Sequence, residues 1–157
     1  MNNAICLNPV IPVHRESAHH SEMSDQLLFG ESFHILETHK EWHHIGRIPD
    51  AYEGWIQSRQ FASLTHQQMD ETAGANRHIL FQPMAKVRQG DQLMWIPGGS
   101  ILPGFEAASG TFSLGEKQYT LIQPESPQEM SVRAFAEKAA RGYLHAPYLW
   151  GGKTIFG

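Results

Sequence analysis

Cysteine is nearly absent: Cys6 stands alone among 157 residues. That excludes an internal disulfide and a cysteine-built zinc cage. Charge is scarce too, at 18% Asp, Glu, Lys and Arg, with a net charge of −4 at neutral pH. No basic block breaks this balance, which argues against a nucleic-acid or anionic-membrane surface. No apolar run reaches the roughly 20 residues that cross a bilayer. Residues 1–13 lack the basic and long apolar regions of a signal peptide, so a reducing cytoplasm is the expected compartment, and a periplasmic or surface location applies only if a signal has been removed. Phosphate-loop and His-Glu-x-x-His patterns are missing; Pro97-Gly98-Gly99-Ser100 lacks the lysine and helix a phosphate loop needs. No metal and no cofactor are expected.

What is present is apolar residues, at 41%, in a chain of 17.7 kDa. That suffices for a buried core in one ordinary domain or two small ones. Fourteen glycines and nine prolines punctuate short apolar runs. Ala4 to Leu7, Gln26 to Gly30, Ser32 to Leu36, Trp42 to Ile48 and Gly54 to Ile56 read as strands of a small barrel or sandwich. Residues 63–77 are polar and aperiodic and read as a linker. A second β series runs over 78–123, where Pro97-Gly98-Gly99 suggests a hairpin between Leu93–Ile96 and Ser100–Leu102. At Ser126-Pro127-Gln128-Glu129 a helix start appears, with a capping serine, proline at the first helical position and an acid three residues on. Val132, Phe135, Ala136, Ala139, Ala140 and Tyr143 recur at helical spacing, and Glu137 is placed to pair with Arg141. Gly142 stops the helix.

Several residues admit two readings. Trp55, after a glycine in a small barrel, reads as core. Tyr52 lies in a polar loop beside Asp50 and Glu53, where it serves either packing or ligand contact. Glu31, at the end of Leu28-Phe29-Gly30, is either a locally bonded carboxylate or an acceptor for a cationic ligand group. Of the ten histidines, the doublets His19-His20 and His43-His44 point to opposite faces of an extended chain, so neither chelates one metal simply. Cys6 sits in an apolar strand with nothing cationic near it in sequence and reads as a small buried hydrophobe. The segment Tyr148 to Gly157 is apolar, aromatic and glycine-rich, and leads toward something that should follow.

The string His145-Ala-Pro-Tyr-Leu-Trp-Gly-Gly-Lys153 resembles the start of the catalytic domain of NlpC-type cell-wall peptidases. These are bacterial cysteine endopeptidases with a papain-like core. Leu28-Phe29-Gly30-Glu31, Trp42-His43-His44-Ile45 and Tyr52-Glu53-Gly54-Trp55 resemble a bacterial SH3-like barrel. Barrel followed by peptidase is the arrangement of the γ-D-glutamyl-L-diamino acid endopeptidases, the dipeptidyl-peptidase VI family. The resemblance implies a mainly β fold: two SH3-like barrels, 1–62 and 78–123, then a segment 124–157 whose helix begins a papain-like α+β domain. It implies a murein peptide, L-Ala-γ-D-Glu-diamino acid, as substrate, cut in cell-wall peptide recycling. Carried over, Tyr52 and Glu31 recognise the substrate's free amine from the barrel, and Trp150 lines the same pocket from the peptidase side. The family's nucleophilic cysteine would follow Gly157. No catalytic residue is therefore expected in these 157 residues, which should be inactive alone, and self-association through the apolar tail is expected. The rival is a free-standing SH3-like module that binds wall or protein ligands without catalysis.

Overall fold

The computed structural model describes residues 2–48, 50–74, 77–122 and 131–157. Strands β1 (Asn2–Cys6), β2 (Val10–His14), β3 (Met23–Leu28), β4 (Ser32–His39), β5 (Trp42–Arg47), β6 (Glu53–Gln57) and β7 (Phe61–Leu64) form one sheet. Its order is β3-β2-β6-β5-β4-β1-β7, and every pairing is antiparallel. Alternation explains the core: Ile11 and Val13 from β2, and Gly54 and Ile56 from β6, face inward. Ile11, Val13 and Ile56 join Ala4, Cys6, Leu27, Phe33 and Ile45 in a buried cluster.

Two strands of this sheet were not evident in the sequence. Pro12 disguises β2, yet it is exposed there, and β2 meets β6 only at His14↔Trp55. A proline is tolerated where one side of the strand has no ladder to serve. The stretch 63–77, read as a linker, holds the end of β7 and helix α1 (His66–Ala73). A capping box starts α1: the Gln68 N–H donates to Thr65 Oγ1 and the Thr65 N–H to Gln68 Oε1. Met69 and Thr72 are its buried residues among those described, which is too short an apolar stripe to register as periodicity.

The second β series comprises β8 (Arg77–Ile79), β9 (Met84–Gln89), β10 (Gln92–Pro97), β11 (Ile101–Pro103), β12 (Thr111–Leu114) and β13 (Lys117–Ile122). They make a four-stranded sheet, β10-β9-β13-β12, and a two-stranded one, β11-β8. The expected hairpin across Pro97-Gly98-Gly99 is therefore corrected: β10 and β11 belong to different sheets. The turn exists, with the Ser100 N–H donating to Pro97 O, but Gly98 and Gly99 bond to Pro83 and Leu80 and pass the chain between sheets. The true tight hairpins are Gly90-Asp91 and Gly115-Glu116, each with glycine at positive φ.

The two β series share a core. Ile5, Phe29, Leu64 and Met69 pack with Val87, Ile96, Leu102, Phe112 and Tyr119. Phe29 meets Phe112 and Tyr119 edge-on, at 6.1 and 5.4 Å between ring centres. Gly30 makes this junction possible: its φ is +81°, and a Cβ there would lie 1.8 Å from Ile101 O. Helix α2 (Val132–Arg141) follows. The Ser126 start lies outside the described residues; the described helix is capped by Ser131, which accepts from the Ala134 N–H. Glu137 pairs with Arg133 at 3.1 Å rather than with Arg141. Helix α2 touches the second β series through Phe135, 4.6 Å from Phe81, and Gly142, close to Pro83.

Candidate functional site

Five charged side chains converge at one end of the barrel. Arg47, the last residue of β5, is the centre; its side chain is only 10% exposed. Its Nη1 lies 2.7 Å from Asp25 Oδ2 on β3. Its Nη2 and Nε take both carboxylate oxygens of Asp50, at 2.6 and 3.0 Å, a bidentate pairing. Asp50's grip pushes the Arg47 guanidinium further into its charged range, against the opposing effect of burial. In return Arg47, helped by the Tyr52 N–H, holds the Asp50 carboxyl down at about 2. Ala51 between them sits at φ +54°, a conformation that costs a non-glycine residue about 1–2 kcal/mol. The Arg47 guanidinium also lies 5.4 Å from the centre of the Tyr52 ring.

Glu31 completes the barrel's contribution. Its Oε2 accepts the Leu28 N–H at 2.9 Å and stands 4.0 Å from Arg47 Nη1. The fifth group arrives from far along the chain: Lys153 Nζ is 3.4 Å from Asp25 Oδ1 and 3.7 Å from Glu31 Oε1. Its backbone N–H donates to Gln26 Oε1 at 2.8 Å. Two residues earlier, Gly151 has φ +73°, and a Cβ there would strike the backbone of Met23 to Asp25 at 2.8–3.0 Å. Thr154 is buried and exchanges backbone bonds with Gly157. The Trp-Gly-Gly-Lys segment thus lies directly on β3, and only glycine permits that approach.

Of the sequence-selected residues, Glu31 and Tyr52 meet at Arg47. Tyr52 is 37% exposed, and its hydroxyl donates to Ser24 O at 3.4 Å. Trp150 is 57% exposed; its chain neighbour Gly151 abuts the same Ser24. Trp55 is half-buried rather than core, stacked on His44 at 5.0 Å, while Trp42 takes the buried position beside His14 and His19. The doublet splits as extended geometry requires: His43 bonds Ser58, and His44 turns to Glu53. Cys6 is buried and donates to Asn8 O, and burial pushes its thiol up, far from a reactive thiolate. Sequence reasoning missed Asp25, Arg47 and the role of Lys153. Asp25 offered one signal, an acid just before the apolar Leu27-Leu28 of a strand. A separate groove of about 500 Å³ runs between Leu64, Gln68, Leu114 and Lys117, and holds none of these residues.

Residues 13–61 match the profile of the bacterial dipeptidyl-peptidase SH3 domain. Over 99% of its length the chain is 25% identical to a dipeptidyl-peptidase 6 of Lysinibacillus sphaericus, of which it spans 64%. Its fold is that of an NlpC/P60 family protein from Bacillus cereus ATCC 10987: TM-score 0.74 at 12% identity, over 99% of this chain and 68% of that one. An NlpC/P60 endopeptidase from Photobacterium damselae subsp. piscicida gives 0.67 at 15% identity, over 96% and 38%. The chain thus shares its fold with NlpC/P60 proteins and carries, over residues 13–61, a segment that matches a bacterial SH3 domain.

Proposed function

We propose that this chain is the substrate-recognising front region of a murein-peptide endopeptidase, which selects peptides with a free L-Ala amine and frees L-Ala-γ-D-Glu from the diamino acid. One observation carries the reading. Among the described residues, the cations that Asp25, Glu31 and Asp50 face are Arg47 and Lys153, so three carboxylates stand against two cations. The cluster keeps one net negative charge, and its Asp25 and Glu31 carboxylates are shielded, at 12% and 15% exposure, which suits one ammonium. Tyr52 stands at its rim, 37% exposed, and Trp150 is assigned to the same pocket because it precedes Gly151, which abuts β3 on the segment that resembles the peptidase start. An anionic pocket closed beyond the amine admits a free amine and rejects stems still joined to glycan, by clash and by loss of the charge. This favours recycling of released peptides, in the cytoplasm, over cutting intact wall. Hydrolysis itself is assigned to a cysteine–histidine pair outside these residues.

The test is kinetic, in a protein that carries the peptidase part. Tyr52→Phe should lower kcat/KM for L-Ala-led peptides roughly ten- to a hundredfold, the worth of one hydrogen bond to a charged group. The N-acetylated peptide should be poor for wild type and lose little more in the variant. Equal losses on both peptides, or none, would remove Tyr52 from amine recognition.

A further inference from the structure

The amine reading leaves one conflict at the site. Glu31 Oε1 and Asp25 Oδ1 are the oxygens that face Lys153, at 3.7 and 3.4 Å. A ligand ammonium bonding Glu31 Oε1 would share that oxygen with Lys153 Nζ, which stands 3.7 Å from it. Repulsion of two like charges so close, in a partly buried site, exceeds the gain from one charge-assisted hydrogen bond. The surplus negative charge does not relieve this, because it sits on Asp50, whose oxygens Arg47 takes and whose side chain is 51% exposed; one cation must leave. Arg47 will not: it is 10% exposed and tied by contacts of 2.6–3.0 Å. Lys153 is 30% exposed, makes no ammonium contact shorter than 3.4 Å among the described residues, and swings on a flexible four-carbon stem. Its segment stays docked without the ammonium, because the Lys153 N–H holds Gln26 and Gly151 fits the β3 backbone.

Resting on the amine reading, we propose that Lys153 is an internal competitor for the Asp25–Glu31 carboxylates, and thereby determines which amines the site accepts. The ligand's ammonium takes the place of Lys153 on Glu31, and the displaced lysine needs a new anion. A bare amine supplies none. A zwitterionic peptide, with a carboxylate on its second residue, supplies both charges and is selected over a simple amine of the same size.

The experiment is titration calorimetry of the 157-residue chain with L-alaninamide, a bare cation, and with L-alanyl-D-glutamate. Wild type, Lys153→Met and Lys153→Arg are compared after thermal melts show each is folded. Wild type should prefer the dipeptide by about tenfold or more, the scale of one ion-paired hydrogen bond. Lys153→Met should bind L-alaninamide about tenfold more tightly than wild type and lose the preference; Lys153→Arg should keep it. If wild type binds both probes and Lys153→Met gains nothing for L-alaninamide, the competitor role is overturned and the amine reading stands. If no variant binds either probe, the amine reading falls and the competitor role with it.

Discussion

Replacing Arg47 by Met keeps much of the side-chain volume and removes the charge at the centre of the cluster. Asp25 and Glu31 have side chains only 12% and 15% exposed, so they would be left as shielded carboxylates. Removing one partner from a buried ion pair costs about 3–5 kcal/mol. Lys153 remains within 3.4 Å of Asp25 and offsets part of this, so about 3 kcal/mol is expected. Asp50→Asn is the contrast. Asp50's side chain is 51% exposed, and an exposed pair contributes at most about 1 kcal/mol. Urea unfolding of the three proteins measures both numbers. The same pair gives a pH signature. Asp50 is held at about 2 against an ordinary 3.8, so its contribution is complete above pH 4 and is lost as pH falls toward 2. Asp50→Asn should flatten that part of the stability profile. A loss below 1 kcal/mol for Arg47→Met, equal to that of Asp50→Asn, would refute the view that the cluster is shielded.

Three further outcomes follow from the packing. Phe29→Ala removes a fully buried ring that joins the two β series, and should cost about 3–5 kcal/mol in urea unfolding. Gly30→Ala would place a methyl group on Ile101 O at positive φ, and should destabilise by several kcal/mol, whereas Gly90→Ala, with open space around it, should cost only about 1 kcal/mol. Cys6, buried with its thiol pushed up, should resist iodoacetamide until the protein unfolds.

The sequence was most legible where local chemistry is strong. Alternation and turn residues marked β3 to β6, and the apolar periodicity of Phe135 and Ala139 marked α2. It was silent where tertiary partners decide. Helix α1 rests on one capping box and a single buried methionine, and β2 hides a proline on an unladdered side. Pro97-Gly98-Gly99 forms a turn, but which sheet receives the next strand depends on Pro83 and Leu80, far from it in sequence. At the site, Glu31 and Tyr52 stood in motif strings, and Trp150 in the Trp-Gly-Gly string. Arg47, which links the first two, lies in no motif; its role depends on three carboxylates brought from β3, the β3–β4 turn and the loop after β5. Lys153 closed a recognisable string, yet its partner Asp25 is more than a hundred residues away.

The central claim is that the barrel's carboxylate cluster recognises a free amine. Its most direct measurement is a binding cycle on this chain: L-alanyl-D-glutamate and its N-acetyl form, each titrated into wild type and Glu31→Gln. Losing a charge-assisted bond should weaken the free-amine peptide roughly ten- to a hundredfold in Glu31→Gln, while the N-acetyl peptide, weak from the start, should hardly change. Equal weakening of the two peptides, or an N-acetyl peptide that binds wild type as well as the free amine does, would contradict it.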